Sequence, residues 1–354
     1  VSALARLLAS AGDAGSAASR ALAEALAADP EAVIVAVDLE ACAAPGGDAR
    51  DPDKARIVQV AIAEVAARPL PGQVDAAVAE EWEADGVEVP AELERVEPGP
   101  AGLYTREEAT LVDPLCEIDA GSAAVHGITD EAVEGAPRVD DLVDPLASAI
   151  LPEGRRPILV GYNGARFDAP LLAAELRRAA GRLRRDDPAR AALAERVAAR
   201  VLEETWIDPL AIRRRAEPGD LAGSVRRYLG AELQGAHDAR ADIAATVLVL
   251  GAQLATRHAA GLADAEEASK APPGSYDRAG KLAVDEGVEP AQATAAQVRF
   301  TFGKHKGATV AAEPSYARWM LTSDFPEDTK ARLRTLLATL PADAGARGPR
   351  AYRR

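Results

Sequence analysis

The spacing of hydrophobic positions changes several times along the chain, and each change predicts a different element. Residues 1 to about 28 are Ala-rich and read as one or two helices, broken near Gly12-Asp-Ala-Gly15. At Ala32 the pattern becomes a continuous apolar run, Ala32-Val-Ile-Val-Ala-Val37, which marks a buried strand. Ile57 to Val65 alternates in part and predicts a second strand. The stretch from Pro69 to Gly102 is acidic and punctuated by Pro and Gly, the texture of an inserted loop. Regular pattern returns with a short strand at Ala109–Asp113 and a helix after Thr129, which is placed to cap an acidic first turn.

Pro157 to Gly161 then predicts a buried strand, Asp168-Ala-Pro170 opens a helix, and Arg177 to Arg200 reads as Arg/Ala-rich helix. Thr205–Asp208 is expected as a short edge strand, and two helices follow at Leu221–Leu229 and from Ala239 to about Thr256. Strands followed by helices in this rhythm predict an α/β domain with a mixed sheet. Beyond it the periodicity fades around Pro272-Pro-Gly274. A strand and Gly-bounded turn at Val298–Gly307 and two helices then resume. The expected organisation is an N-terminal helical segment (1–29), an α/β domain (30–256) with an acidic insertion (about 69–108), a linker (257–295), a small basic and aromatic α+β module (296–342) and a basic tail (343–354).

Composition narrows the class. Of 354 residues 48% are hydrophobic, enough for a sizeable core, but no apolar run approaches the length of a membrane span. The first residues have no apolar signal-peptide core. Cys42 and Cys116 lie far apart without a CxxC partner, which argues against a disulfide framework or a zinc site. A soluble, cytoplasmic protein is expected. The net charge of −15 looks wrong for a nucleic-acid partner, yet its distribution is uneven. Acids crowd Asp75–Glu108, whereas basic residues gather in Arg177-Arg178, Arg182–Arg185, Arg213–Arg215, Arg226-Arg227 and around Lys304, Lys306 and Lys330–Arg334. Such runs are compatible with nucleic acid but are also what solvated helix faces look like.

Five residues carry the candidate chemistry. Asp38 and Glu40 sit two apart at the end of the first strand, so both point to one side of it. Two carboxylates about 4 Å apart repel by roughly 4 kcal/mol at an effective dielectric near 20, so such a pair needs a cation or a proton between its members. Asp168 lies just beyond the strand ending at Gly161, where ligands of α/β sheets gather, although an Asp there is equally a helix N-cap. His237 and Asp242 are five apart and would not share one face of a continuous helix. The histidine is expected on a loop flanked by Gly235, and the carboxylate inside the helix. Hard oxygen ligands without a Cys or His cluster favour Mg²⁺ or Mn²⁺.

Taken together, Asp38-x-Glu40, Asn163-x-x-x-Phe167-Asp168 and His237-x-x-x-x-Asp242 resemble the DEDDh exonucleases of the DnaQ-like, RNase T-like superfamily. Arg56-Ile-Val-Gln-Val-Ala-Ile and Val125-His-Gly-Ile-Thr-Asp-Glu match the family's second strand and substrate-side loop, so the resemblance spans about residues 32–255. It implies an RNase H-like mixed five-stranded sheet flanked by helices. It implies that Asp38, Glu40, Asp168 and Asp242 hold two Mg²⁺ or Mn²⁺ ions, with His237 as general base and Glu40 also at the reacting centre. Leu39, His126, Ile128, Asn163 and Phe167 would shape the pocket for the terminal nucleotide.

The implied reaction is 3′→5′ hydrolysis of terminal phosphodiesters, releasing 5′-mononucleotides. Phe302-Gly-Lys-His-Lys-Gly307, Tyr316-x-x-Trp319 and Phe325 are similar to the module that follows the nuclease domain in exodeoxyribonuclease X-like proteins. This favours DNA 3′ ends, single-stranded or frayed, over RNA as the partner, with Lys304 and Lys306 as substrate contacts; a homodimer or a repair-protein partner is compatible. The alternatives are an RNA exonuclease of the RNase T or oligoribonuclease kind and a catalytically silent nucleic-acid-binding protein. The aromatic residues of the module also serve equally well as its core. The acidic insertion departs from the compact family pattern and leaves the approach of nucleic acid open.

Overall fold

The computed structural model describes residues 2–340 apart from 50, 53, 204, 215–219, 271–274, 278–279, 286–287, 289–291, 324 and 326, and gives the backbone alone at 213, 214, 327 and 328. The basic tail expected at 343–354 and the Pro272–Gly274 break lie outside the described residues. The chain forms two compact units, Val1–Ser269 and Lys270–Arg354.

The first unit runs α1 (Ala3–Ala27), β1 (Ala32–Ala43), β2 (Ala55–Ala66), β3 (Gln73–Asp75), α2 (Ala76–Ala84), β4 (Glu94–Val96), β5 (Tyr104–Leu111), α3 (Ala120–His126), α4 (Asp130–Val133), α5 (Val143–Ile150) and β6 (Arg156–Val160). It continues through α6 (Asp168–Leu183), α7 (Pro188–Glu203), α8 (Pro209–Arg214), α9 (Leu221–Leu229), α10 (Ala239–Ala255) and α11 (Leu262–Ser269). The central sheet has the order β5-β2-β1-β6. β1 is antiparallel to β2 and parallel to β6, and β5 is antiparallel to β2. This is the mixed α/β architecture expected, a mixed sheet flanked by helices. The fifth strand is reduced to one parallel bridge from Ile207 to Val160. Pro209 follows almost at once, has no N–H to offer a ladder, and starts α8.

The apolar run in β1 feeds two cores. Val33, Val35, Val37 and Leu39 pack with α5, α6 and α7, while Ala32, Ile34 and Ala36 pack with α1 and α10. The N-terminal helix is therefore part of the same compact unit as the sheet, not a segment set apart at residue 29. Gly12, at φ 52, interrupts it as the sequence predicts. Gly251 of α10 is where α1 comes closest. A Cβ there would meet the Ala18 carbonyl oxygen at 2.6 Å and Leu22 at 2.8 Å. Gly251→Val is expected to destabilise by about 1–3 kcal/mol through overpacking, read as a shift of the urea midpoint.

Other boundaries differ from the sequence reading for identifiable reasons. The single helix expected through Arg177–Arg200 is two, because Asp187 caps α7 by accepting from the Arg190 N–H and Pro188 occupies its first position. Thr129 precedes α4 but makes no side-chain capping bond. The span expected as a linker carries α11 and a strand. The acidic stretch is folded as well: β3 and β4 pair in parallel around α2, Arg95 pairs with Glu83, and the Tyr104 hydroxyl donates to Asp75.

The second unit pairs β7 (Leu282–Val284) with β8 (Val298–Phe300), followed by α12 (Pro314–Leu321) and α13 (Glu327–Ala338). Phe300 and Tyr316 are buried in its core with Leu282, Met320 and Leu333, whereas Trp319 is 40% exposed and stacks on Tyr316. The aromatic residues thus divide between core and surface.

Candidate active site

Asp38 and Glu40 continue the even-numbered side of β1, the side covered by α10, just where the apolar run ends. Glu40 faces Gln59 of β2, and the register slips immediately after it, so Val58 is left without an opposite residue. A bulge here twists the strand end that presents the two carboxylates.

Asp168 arrives from β6. The strand ends at Val160, and the turn Gly161–Phe167 leads into α6. A Cβ at Gly161 or Gly164 would lie about 3 Å from the Trp206 ring, so this turn closes only with glycine at both places. Asn163 takes φ 64, and its N–H donates to Asp208 Oδ1 at 2.9 Å. Phe167, not Asp168, is the N-cap of α6, and its ring packs on the α6 core. The Asp168 carboxylate instead accepts from the Leu39 N–H at 3.1 Å, which ties the start of α6 to β1 between Asp38 and Glu40.

His237 precedes α10, and Asp242 lies in its first turn. His237 is exposed at φ 66, a left-handed conformation, and its N–H donates to Asp242 Oδ2 at 3.1 Å. The N-terminus of α10 is held by Gln59, whose Oε1 accepts from the Ala239 N–H at 3.1 Å. Among the described residues, Glu40, His237 and Asp242 bring ligand atoms within 4.8 Å of one another, a group able to hold a metal ion. Asp242 Oδ1 is buried without a hydrogen-bond partner. An orphaned carboxylate oxygen beside other carboxylates fits a cation.

The electrostatics agree. Burial pushes the Asp38 carboxyl well above the usual range, and Asp168, Asp242 and Glu40 push it further. Glu40 is pushed up to about 8 by burial and then by Asp242 and Asp168. Asp168 is raised by burial against two backbone N–H donors, and Asp242 is raised by burial to about 6. Without cations the folded chain binds protons that unfolded carboxylates, near pKa 4, have released. Stability then falls as pH rises from about 4 to about 8. In EDTA the melting temperature should decline across that window. Millimolar Mg²⁺ or Mn²⁺ should raise it more at about pH 8 than at about pH 5.5, because cations displace the protons. A scanning fluorimetry series checks both.

The remaining sequence candidates sit differently. Leu39 is buried in the core beside α6, so it serves the site through its N–H. Ile128 is buried with Cys42, Val58, Ile118 and Val133. His126 ends α3; its Nδ1 accepts from the Ile128 N–H at 3.0 Å, and its buried Nε2 has no hydrogen-bond partner. Burial lowers its pKa, and His237 nearby adds to this. Lys304 and Lys306 are exposed in the second unit. The sequence reading missed Gln59, Gly161, Gly164, Trp206 and Asp208, which position the others. Their only signal is a Gly-x-x-Gly turn and a Trp-Ile-Asp segment, which one sequence cannot pair.

Among the described residues, no helix is long and apolar enough to cross a membrane. No protein-family model matches the chain, and no curated protein sequence matches it. Solved structures similar to it include the zinc-bound form of E. coli exonuclease I with single-stranded DNA, at TM-score 0.41 and 18% identity, covering 64% of this chain and 41% of that one. Another is E. coli exonuclease I with a dT13 oligonucleotide, at TM-score 0.38 and 16% identity, covering 63% and 41%. The chain spans about two fifths of the length of these proteins.

Proposed function

We propose that the chain is a metal-dependent 3′→5′ exonuclease that hydrolyses terminal phosphodiesters of DNA, single-stranded or frayed, and releases 5′-mononucleotides. The observation that carries this reading is the convergence of Asp38, Glu40, Asp168 and Asp242 from three separate elements, with His237 beside two of them. In this reading the four carboxylates hold two Mg²⁺ or Mn²⁺ ions, which balance them charge for charge. When bound, such ions supply Lewis-acid stabilisation of the attacking and leaving oxygens.

The chain's own residues do the rest. His237 takes the proton from the attacking water, and its backbone bond to Asp242 fixes where the imidazole starts. His126 accepts at Nδ1, so the neutral ring carries its proton on the buried Nε2, and the residue shapes the pocket beside Ile128. Leu39 and Gln59 position Asp168 and the α10 N-terminus. Lys304 and Lys306 offer charge to a phosphate backbone, with exposed Trp319 as a surface for base stacking.

The acidic insertion joins the sheet away from this chemistry. It joins Ala66 of β2 to Tyr104 of β5, which pair with each other at the sheet end opposite to Gln59, Glu40 and Leu111. Seven residues of strand separate the two ends, about 23 Å at the usual rise.

A digestion panel tests the proposal, with single- and double-stranded DNA and RNA labelled at either end and Mg²⁺ or Mn²⁺ present. Mononucleotides leaving the 3′ end of DNA, faster than from RNA, are expected. Release faster from RNA would move the substrate class, and no mononucleotide from any 3′ end would sink the enzyme reading.

A further inference from the structure

The sequence contains two cysteines, and the fold brings them together: Cys42 Sγ and Cys116 Sγ lie 3.9 Å apart although 74 residues separate them. Both are free thiols. Cys42 is buried near the end of β1, two residues beyond Glu40, and Cys116 is half-buried in the connection from β5 to α3. They pack in one small cluster with Val58, Ile118, Ile128 and Val133. A disulfide needs its sulfurs at about 2.05 Å, so the pair is about 2 Å short of bonding distance.

The connection that carries Cys116 is anchored on both sides of it. The Val112 N–H donates to the Val58 carbonyl, the Asp113 N–H to the Pro137 carbonyl and the Ile118 N–H to Asp130 Oδ1. The Leu115 N–H turns back onto Asp113 Oδ1, so closing the gap falls to Cys116 and its immediate neighbours. Leu115 itself stands exposed at φ 59, a conformation unusual for a Leu, and the chain turns inward at the next residue to place Cys116 on Cys42.

We propose that Cys42 and Cys116 form a reversible disulfide that pins this connection, and the His126–Ile128 segment packed with it, to the end of the strand carrying Asp38 and Glu40. The oxidant is a low-molecular-weight disulfide. The Cys116 sulfur attacks it, giving a mixed disulfide and one released thiol. The Cys42 sulfur then displaces the second thiol and closes the intramolecular bond. The two thiol protons pass to the two leaving sulfurs, so the protein pair loses two electrons and the oxidant gains them. The more exposed Cys116 is the point of attack.

The test needs no nuclease assay, so its failure and the failure of the exonuclease reading are distinguishable. The full chain is incubated in its native state with excess oxidised glutathione. The intact mass is expected to fall by about 2 Da, with residues 42 and 116 joined in one peptide pair and full reversal by dithiothreitol. Amide exchange over residues 112–128 should slow in the oxidised form. Cys42→Ser should trap glutathione on Cys116, while Cys116→Ser should leave Cys42 unmodified. A wild-type chain that keeps both thiols, or joins them only between molecules, overturns the proposal without reference to either variant. Unchanged exchange over 112–128 overturns the pinning, and glutathione taken up by Cys42 in Cys116→Ser overturns the order of attack.

Discussion

Asp38→Asn should reduce nucleotide release to the assay background and, without metal, make the protein more stable than the wild type. The two effects have one cause. Asp38 lies among Asp168, Asp242 and Glu40, and its ionised form is disfavoured by burial and by all three neighbours. Removing the charge removes that repulsion, so in EDTA at about pH 8 the melting temperature should rise by several degrees. The same substitution removes a ligand, so Mg²⁺ or Mn²⁺ should no longer raise the melting temperature appreciably. Measuring both quantities separates a lost site from a lost fold. Release near the wild-type rate, or an Asn variant destabilised without metal, would contradict the assignment.

His237→Ala should cost on the order of 10²–10⁴ in rate, the usual contribution of a general base. Because Ala keeps a β-carbon, it meets the same backbone strain that His237 meets at φ 66, and the comparison isolates the imidazole. The histidine also stands among groups able to ligate a metal, so the rate alone is ambiguous. As a base, its removal leaves the metal-induced rise in melting temperature intact. As a ligand, its removal diminishes that rise along with the rate. Thermal shifts with and without Mn²⁺, measured beside single-turnover rates, decide between the two roles.

The parts of the site legible in the sequence are those fixed by local periodicity. A buried apolar run that ends in Asp-x-Glu puts both carboxylates on one side of a strand, and the structure places them there. The His237 and Asp242 spacing straddles a helix start for the same kind of reason. Contacts between distant segments were not legible. Asp168 is written like a helix cap, and only the position of Leu39 shows that its carboxylate serves another segment. Gln59 reads as a polar position in a strand until α10 is laid beside it. Cys42 and Cys116 look unrelated for the same reason: their proximity depends on how β1 and the connection from β5 to α3 fold together, which neither segment encodes alone.

The place of the acidic insertion has a practical consequence. It leaves the sheet at the end away from Asp38 and Glu40, so the strand positions of those two carboxylates do not depend on where it joins. The exposed residues 85–88 between α2 and β4 are therefore the natural place to attach a fluorophore or an affinity tag away from the candidate site.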